Sequence, residues 1–160
     1  MADKEIFFIR HSNTLFPQDK LSPEGILKAE SLKGMIEFAP VVVASDLNRA
    51  QLTATLMGRS DFNIDPRAEE IVIDEINAPS AHEYVQRVLN ERPFERKRAA
   101  ENLSNIALEL PDRSVVVSHN AAISALLFEL TGHKTSIENL EGIAVGVDDD
   151  RNISFNGWVE

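Results

Sequence analysis

The chain has 160 residues, 43% apolar and 26% charged, enough for one well-cored domain and too few for two. Its 26 acids outnumber 16 Lys and Arg, and the net charge of −10 argues against non-specific binding of nucleic acid or anionic membrane. With no cysteine, disulfides, thiolate catalysis and cysteine-ligated metal centres are excluded.

Ile6-Phe7-Phe8-Ile9 reads as a strand buried on both faces, stopping abruptly at Arg10-His11-Ser12-Asn13-Thr14. Ser22-Pro23-Glu24 then supplies an N-cap, a first-position proline and a first-turn acid. The spacing of Ile26, Ala29, Leu32 and Ile36 predicts a helix to about Phe38. Val41-Val42-Val43-Ala44 is a second buried strand. Ser45 or Asp46 caps the next helix, whose inner face is Leu47, Ala50, Ala54 and Met57. Arg49 lies in its first turn, off that face, which suits either an exposed ion pair or an anion.

Arg59 to Glu70 reads as a polar connection and Ile71-Val72-Ile73 as a short third strand, followed by Asp74-Glu75. Helix is expected from about Ala81 to Leu110, broken at Pro93. Ser114 to Val117 is a fourth strand, ending in Ser118-His119-Asn120, and the helix beyond it stops at Gly132. Gly142 to Val147 and Ile153 to Trp158 form a closing hairpin. The Asp148-Asp149-Asp150 run is its solvated turn and lacks the pattern of a calcium loop.

Strands alternating with helices imply a three-layer α/β/α sandwich. Its sheet would be mixed but mostly parallel, with a C-terminal β-hairpin. Residues 1–160 form one expected domain, with a minimal cap region over about 76–113. No apolar run approaches the ~20 residues of a bilayer span, and the N-terminus lacks a signal-peptide layout. The expected location is cytoplasmic.

In such sheets chemistry collects beyond the carboxyl ends of the strands. Those ends offer Arg10, His11, Arg49, Glu75 and His119. Two guanidinium forks and two imidazoles describe an anion site, phosphate above all. A permanent cation beside His11 disfavours a divalent metal there, so no metal or other cofactor is expected. Glycine-rich nucleotide loops and the G-x-S-x-G elbow are missing.

At these residues the chain resembles the histidine phosphatase superfamily, the phosphoglycerate mutase-like proteins. Ile9-Arg10-His11-Ser12-Asn13-Thr14 is similar to the family's strand and R-H-G-x-T opening. Leu21 to Ala29 resembles its L-T-x-x-G-x-x-Q-A helix start. Ser45-Asp46-Leu47-Asn48-Arg49-Ala50 resembles S-D-L-x-R-A, and Val117-Ser118-His119-Asn120 resembles V-S-H-G. The resemblance implies that His11 is a nucleophile forming a phosphohistidine. It also implies that Arg10, Arg49, His119, Asn13 and the backbone at Asn120 surround the phosphoryl group.

A carboxylic acid would protonate the leaving atom. Glu75, after the third strand, is the candidate, with Glu91 in Leu89-Asn90-Glu91-Arg92 as runner-up. Two family glycines are replaced, by Ser12 and Asn120, which costs something wherever the backbone needs positive φ.

In size and layout the chain looks like the small bacterial phosphohistidine phosphatases. That likeness implies a metal-independent phosphatase acting on phosphohistidine carried by a protein phosphotransfer domain. The alternatives are small phosphomonoesters, such as a sugar phosphate or α-ribazole phosphate, and a non-catalytic phosphate-binding module.

Overall fold

The computed structural model describes residues 3–15 and 18–159. The opening apolar run forms β1 (Lys4–Arg10). Ser22 then caps α1 (Pro23–Ser31), its hydroxyl accepting the Gly25 N–H at 3.0 Å. Next come β2 (Val42–Ala44), α2 (Asn48–Leu56) and a two-residue β3 (Asn63–Ile64). Pro93 divides the long helical region into α3 (Ala81–Glu91) and α4 (Pro93–Glu109), because its ring cannot continue the preceding helix. β4 (Val115–Ser118) leads into α5 (Asn120–Thr131), which ends at Gly132 in the left-handed conformation, φ 77°. β5 (Gly142–Val147) and β6 (Ile153–Val159) close the chain as an antiparallel pair.

The sheet order is β3-β2-β4-β1-β5-β6, parallel from β3 to β1 and antiparallel across β5 and β6. Alternation along β1 sends its side chains to two cores. Ile6 and Phe8 pack with Leu103, Ile106, Ile123 and Leu126 of α4 and α5. Ile9 packs with Ala29 of α1, Ala50 and Ala54 of α2, and Met57 just beyond it. Helices therefore cover both faces, the expected three-layer α/β arrangement. Phe8 is fully buried, and truncating it to alanine would cost about 3–5 kcal/mol.

Two expectations fail. α1 stops at Ser31 rather than near Phe38, and Gly34, at φ 95°, belongs to the turns that follow. Ile71-Val72-Ile73 is not the third strand. Its backbone is held by side chains instead: the Tyr84 hydroxyl donates to the Ile71 carbonyl at 2.6 Å and accepts the Ile73 N–H at 3.0 Å. Ile71 and Ile73 pack on Val85, Leu89 and Ala121 of α3 and α5, away from the sheet. The edge of β2 pairs with Asn63–Ile64, an exposed polar–apolar pair with no strand pattern. A three-residue apolar run shows burial but does not say against what.

Candidate active site

β1 and β4 are parallel neighbours with Arg10 in register with Ser118, so the residue after each strand falls at the same edge. His11 and His119 stand there with ring centroids 5.1 Å apart, both buried.

The His11 ring has its Nδ1 2.7 Å from the Ser12 carbonyl. A carbonyl only accepts, so Nδ1 carries the proton and Nε2 presents a lone pair. Burial, reinforced by Arg10 and Arg49, pushes the His11 pKa down to about 4 against the pull of the Ser12 hydrogen bond. The imidazole is therefore neutral near pH 7. His119 is driven well down by burial, by His11 and by the same arginines. Ser45 Oγ accepts the Leu47 N–H at 3.3 Å, leaving its own proton for His119 Nε2 at 2.7 Å. The proton of the neutral His119 ring then sits on Nδ1, which has no partner among the described residues.

Arg10 donates through one terminal nitrogen to the Ile137 carbonyl at 2.7 Å, while its buried Nε is unpartnered. Asn13 Oδ1 is likewise buried without a partner among the described residues. Three unpaired polar atoms thus belong to residues flanking His11 in chain or space. Buried polar groups are rarely left so. Arg10 Nε and His119 Nδ1 are the donors an anion requires.

Arg49 reaches the same edge from the first turn of α2. Its partner is Asp19, whose Oδ1 accepts from the Arg49 backbone at 3.0 Å and its guanidinium at 3.3 Å. Asp19 Oδ2 also accepts the Asn48 N–H at 2.8 Å, so Asp19 caps α2 across the chain. Neither Ser45 nor Asp46 is the helix cap; Leu47 holds that position.

Ser12 replaces a glycine without strain, since its φ is not positive. It is fully buried, donates from Oγ to the Gly25 carbonyl at 2.7 Å, and gives its N–H to Thr53 Oγ1 at 3.1 Å. Gly25 is needed here: a Cβ on it would lie 2.1 Å from the Asn13 carbonyl oxygen. Asn120 also avoids positive φ, and its side chain is committed to the 136–137 segment. Its Oδ1 accepts from the Ile137 N–H at 2.7 Å and its Nδ2 donates to Ser136 Oγ at 2.7 Å.

The 136–140 segment thereby held reaches back to β1. Its Ile137 carbonyl takes Arg10, Asn139 Nδ2 donates to the His11 carbonyl at 3.1 Å, and Leu140 N–H donates to the Arg10 carbonyl at 3.0 Å.

Glu75 is not brought into this cluster. Its side chain is 74% exposed and 4.0 Å from Arg92, a surface pair worth little. Glu91 is paired with Arg87 on the exposed face of α3. Glu70, read from sequence as part of a polar connection, lines the same cavity as Arg10, and its charge and that of Glu138 act on the guanidinium. The Glu70 carboxylate accepts the N–H groups of Ala121 and Ala122 at 3.1 and 2.9 Å, and of Ile71 at 3.0 Å. Burial raises its pKa, against those hydrogen bonds and Arg10. Glu70 and Arg10 both line a cavity of about 650 Å³ that runs on to Ile73, Ile76 and Tyr84.

None of the curated protein sequences matches the chain. Solved structures share its fold over nearly the whole length. A structure named mycobacterial hydrolase 1 is 18% identical with a TM-score of 0.73, covering 99% of each chain. A mycobacterial glucosyl-3-phosphoglycerate phosphatase is 17% identical at 0.71, again over 99% of each chain. A phosphoglycerate mutase from Thermus thermophilus is 25% identical at 0.67, over 98% of each. The sequence profile of the histidine phosphatase superfamily (branch 1) matches residues 6–148. That span contains Arg10, His11, Arg49, Glu70 and His119, and the chain belongs to this superfamily.

Proposed function

We propose that the chain is a phosphatase working through a phosphohistidine at His11. The observation that supports this most is a neutral His11 ring, its Nδ1 proton held by the Ser12 carbonyl, between two arginines and a second neutral imidazole. Nε2 would bond to phosphorus as the P–O or P–N bond to the leaving group breaks. Arg10, Arg49 and His119 would hold the phosphoryl oxygens, with fixed cations already in place as charge shifts. Glu70, rather than Glu75, is the acid we assign: it lines the same cavity as Arg10, where burial raises its pKa. Water would then attack phosphorus, give a proton to the Glu70 carboxylate, and release phosphate as the P–N bond to His11 breaks.

Protein phosphohistidine is the substrate we favour. Val72, exposed on the wall of the cavity, offers apolar surface to a docked protein. Small phosphomonoesters are a second reading, favoured by a cavity of about 650 Å³, a size typical of organic ligands.

The experiment is trapping of the adduct. Wild-type protein should form an acid-labile, alkali-stable phosphoenzyme that His11→Ala does not. A phosphorylated phosphotransfer domain, tested against sugar and nucleotide phosphates, separates the two substrate classes. Vanadate binding without adduct or turnover would make the protein a phosphate-binding module instead.

A further inference from the structure

We infer that the cavity beside Arg10 receives the leaving group and selects an uncharged, apolar one, rejecting substrates that carry a second anion there. The inference rests on the reading of the Arg10–His11–Arg49–His119 cluster as a phosphoryl site.

The cavity begins at Arg10 and runs under the 71–81 segment. Its walls include Ile71, Ile73 and Ile76, each 7% exposed and packed from behind by α3 and α5. Tyr84 also lines it, yet offers a ligand little polarity. Its hydroxyl is committed to the Ile71 carbonyl and the Ile73 N–H, which fixes the wall in place. A rigid apolar wall recovers transfer free energy from an apolar group without paying to order itself.

Charge decides the rest. Among the described residues lining the cavity, Arg10 is the cation, while Glu70 and Asp74 are acids. Arg10 is already shared between the Ile137 carbonyl and the phosphoryl position. The start of α3 borders the cavity and could attract an anion. It is answered within the helix: Ser80 Oγ accepts the Glu83 N–H at 3.1 Å, and the Glu83 carboxylate stands in the first turn. A second phosphate or carboxylate would therefore meet Asp74 with no cation of its own, and like-charge juxtaposition is an effective means of rejection.

The test uses non-hydrolysable phosphonates, so it does not depend on turnover. Benzylphosphonate should bind wild-type protein about tenfold or more tighter than 2-carboxyethylphosphonate, measured by displacement of vanadate. Asp74→Lys, at an exposed position outside the phosphoryl cluster, should narrow that ratio by tightening the carboxylate probe while leaving benzylphosphonate within about twofold.

Equal affinity for the two probes, preference for the carboxylate, or an Asp74→Lys ratio equal to wild type would each overturn the inference. So would failure of both phosphonates to bind. Selectivity without a phosphoenzyme would keep the inference and sink the proposed hydrolysis. A phosphoenzyme without selectivity would do the reverse.

Discussion

The rings of His11 and His119 lie 5.1 Å apart because β1 and β4 run parallel as neighbours with Arg10 opposite Ser118. Two residues 108 positions apart in sequence are set side by side by strand register, and both are kept neutral by burial. Neutral rings beside arginines suit an anion, but they make the empty site sensitive to acid.

His11 has a pKa of about 4 in the folded chain against 6.5 unfolded. Above the unfolded value neither state is protonated and nothing is lost. Between the two values the unfolded chain binds a proton that the native state refuses, so stability falls as pH falls. The full loss is ~3 kcal/mol by the folded pKa. Urea unfolding at about pH 7 and about pH 4.5 should show this fall, reduced in His11→Gln. His119 pulls in the same direction, so part of the slope should survive. An unchanged slope in the variant would contradict a buried neutral His11.

Ser12 ties the end of β1 to α1 through Gly25. Ser12→Ala should cost about 1 kcal/mol for the lost hydrogen bond. Ser12→Gly should be at least as destabilising, since it adds backbone freedom and relieves no strain. Both should still form the phosphoenzyme, because the Ser12 carbonyl that orients His11 belongs to the backbone. A gain in stability from glycine, read by denaturant midpoint, would reveal strain at this position.

Asn120 acts on Arg10 at one remove, through Ile137. Asn120→Ala strips the buried Ile137 N–H of its acceptor and should destabilise by about 1–3 kcal/mol. Because the Ile137 carbonyl holds Arg10, kcat/KM should also fall by about tenfold in protein that remains folded. Full activity in a destabilised but folded variant would limit Asn120 to packing.

Asp19 occupies Arg49, a cation we assign to the phosphoryl group. The ion pair is partly exposed and worth little, but asparagine keeps one acceptor for the two N–H groups that Asp19 caps, so Asp19→Asn should cost about 0.5–1 kcal/mol while the protein stays folded. Removing the charge should raise vanadate affinity by about fivefold, with a smaller gain at high salt. Weaker binding would mean that Asp19 aims Arg49 instead of competing for it.

Read alone, the residues determine the buried strands, the break at Pro93, the left-handed stop at Gly132, and the placement of Arg10, His11, Arg49 and His119 at element ends. Each of these follows from local runs, caps and backbone-restricted residues, which act over a few positions. Tertiary structure decided what those groups touch. Asp19 meets Arg49 across 30 residues and Asn139 meets His11 across 128, and neither partner has a local signature. It also left Glu75 exposed beside Arg92, set Glu70 in the cavity that Arg10 lines, and moved the third strand from Ile71–Ile73 to Asn63–Ile64. In both cases the physical reason is the same. Polarity and apolar runs encode that a segment must be paired or buried, while the partner is chosen by which hydrogen-bonding groups and surfaces the fold brings within reach.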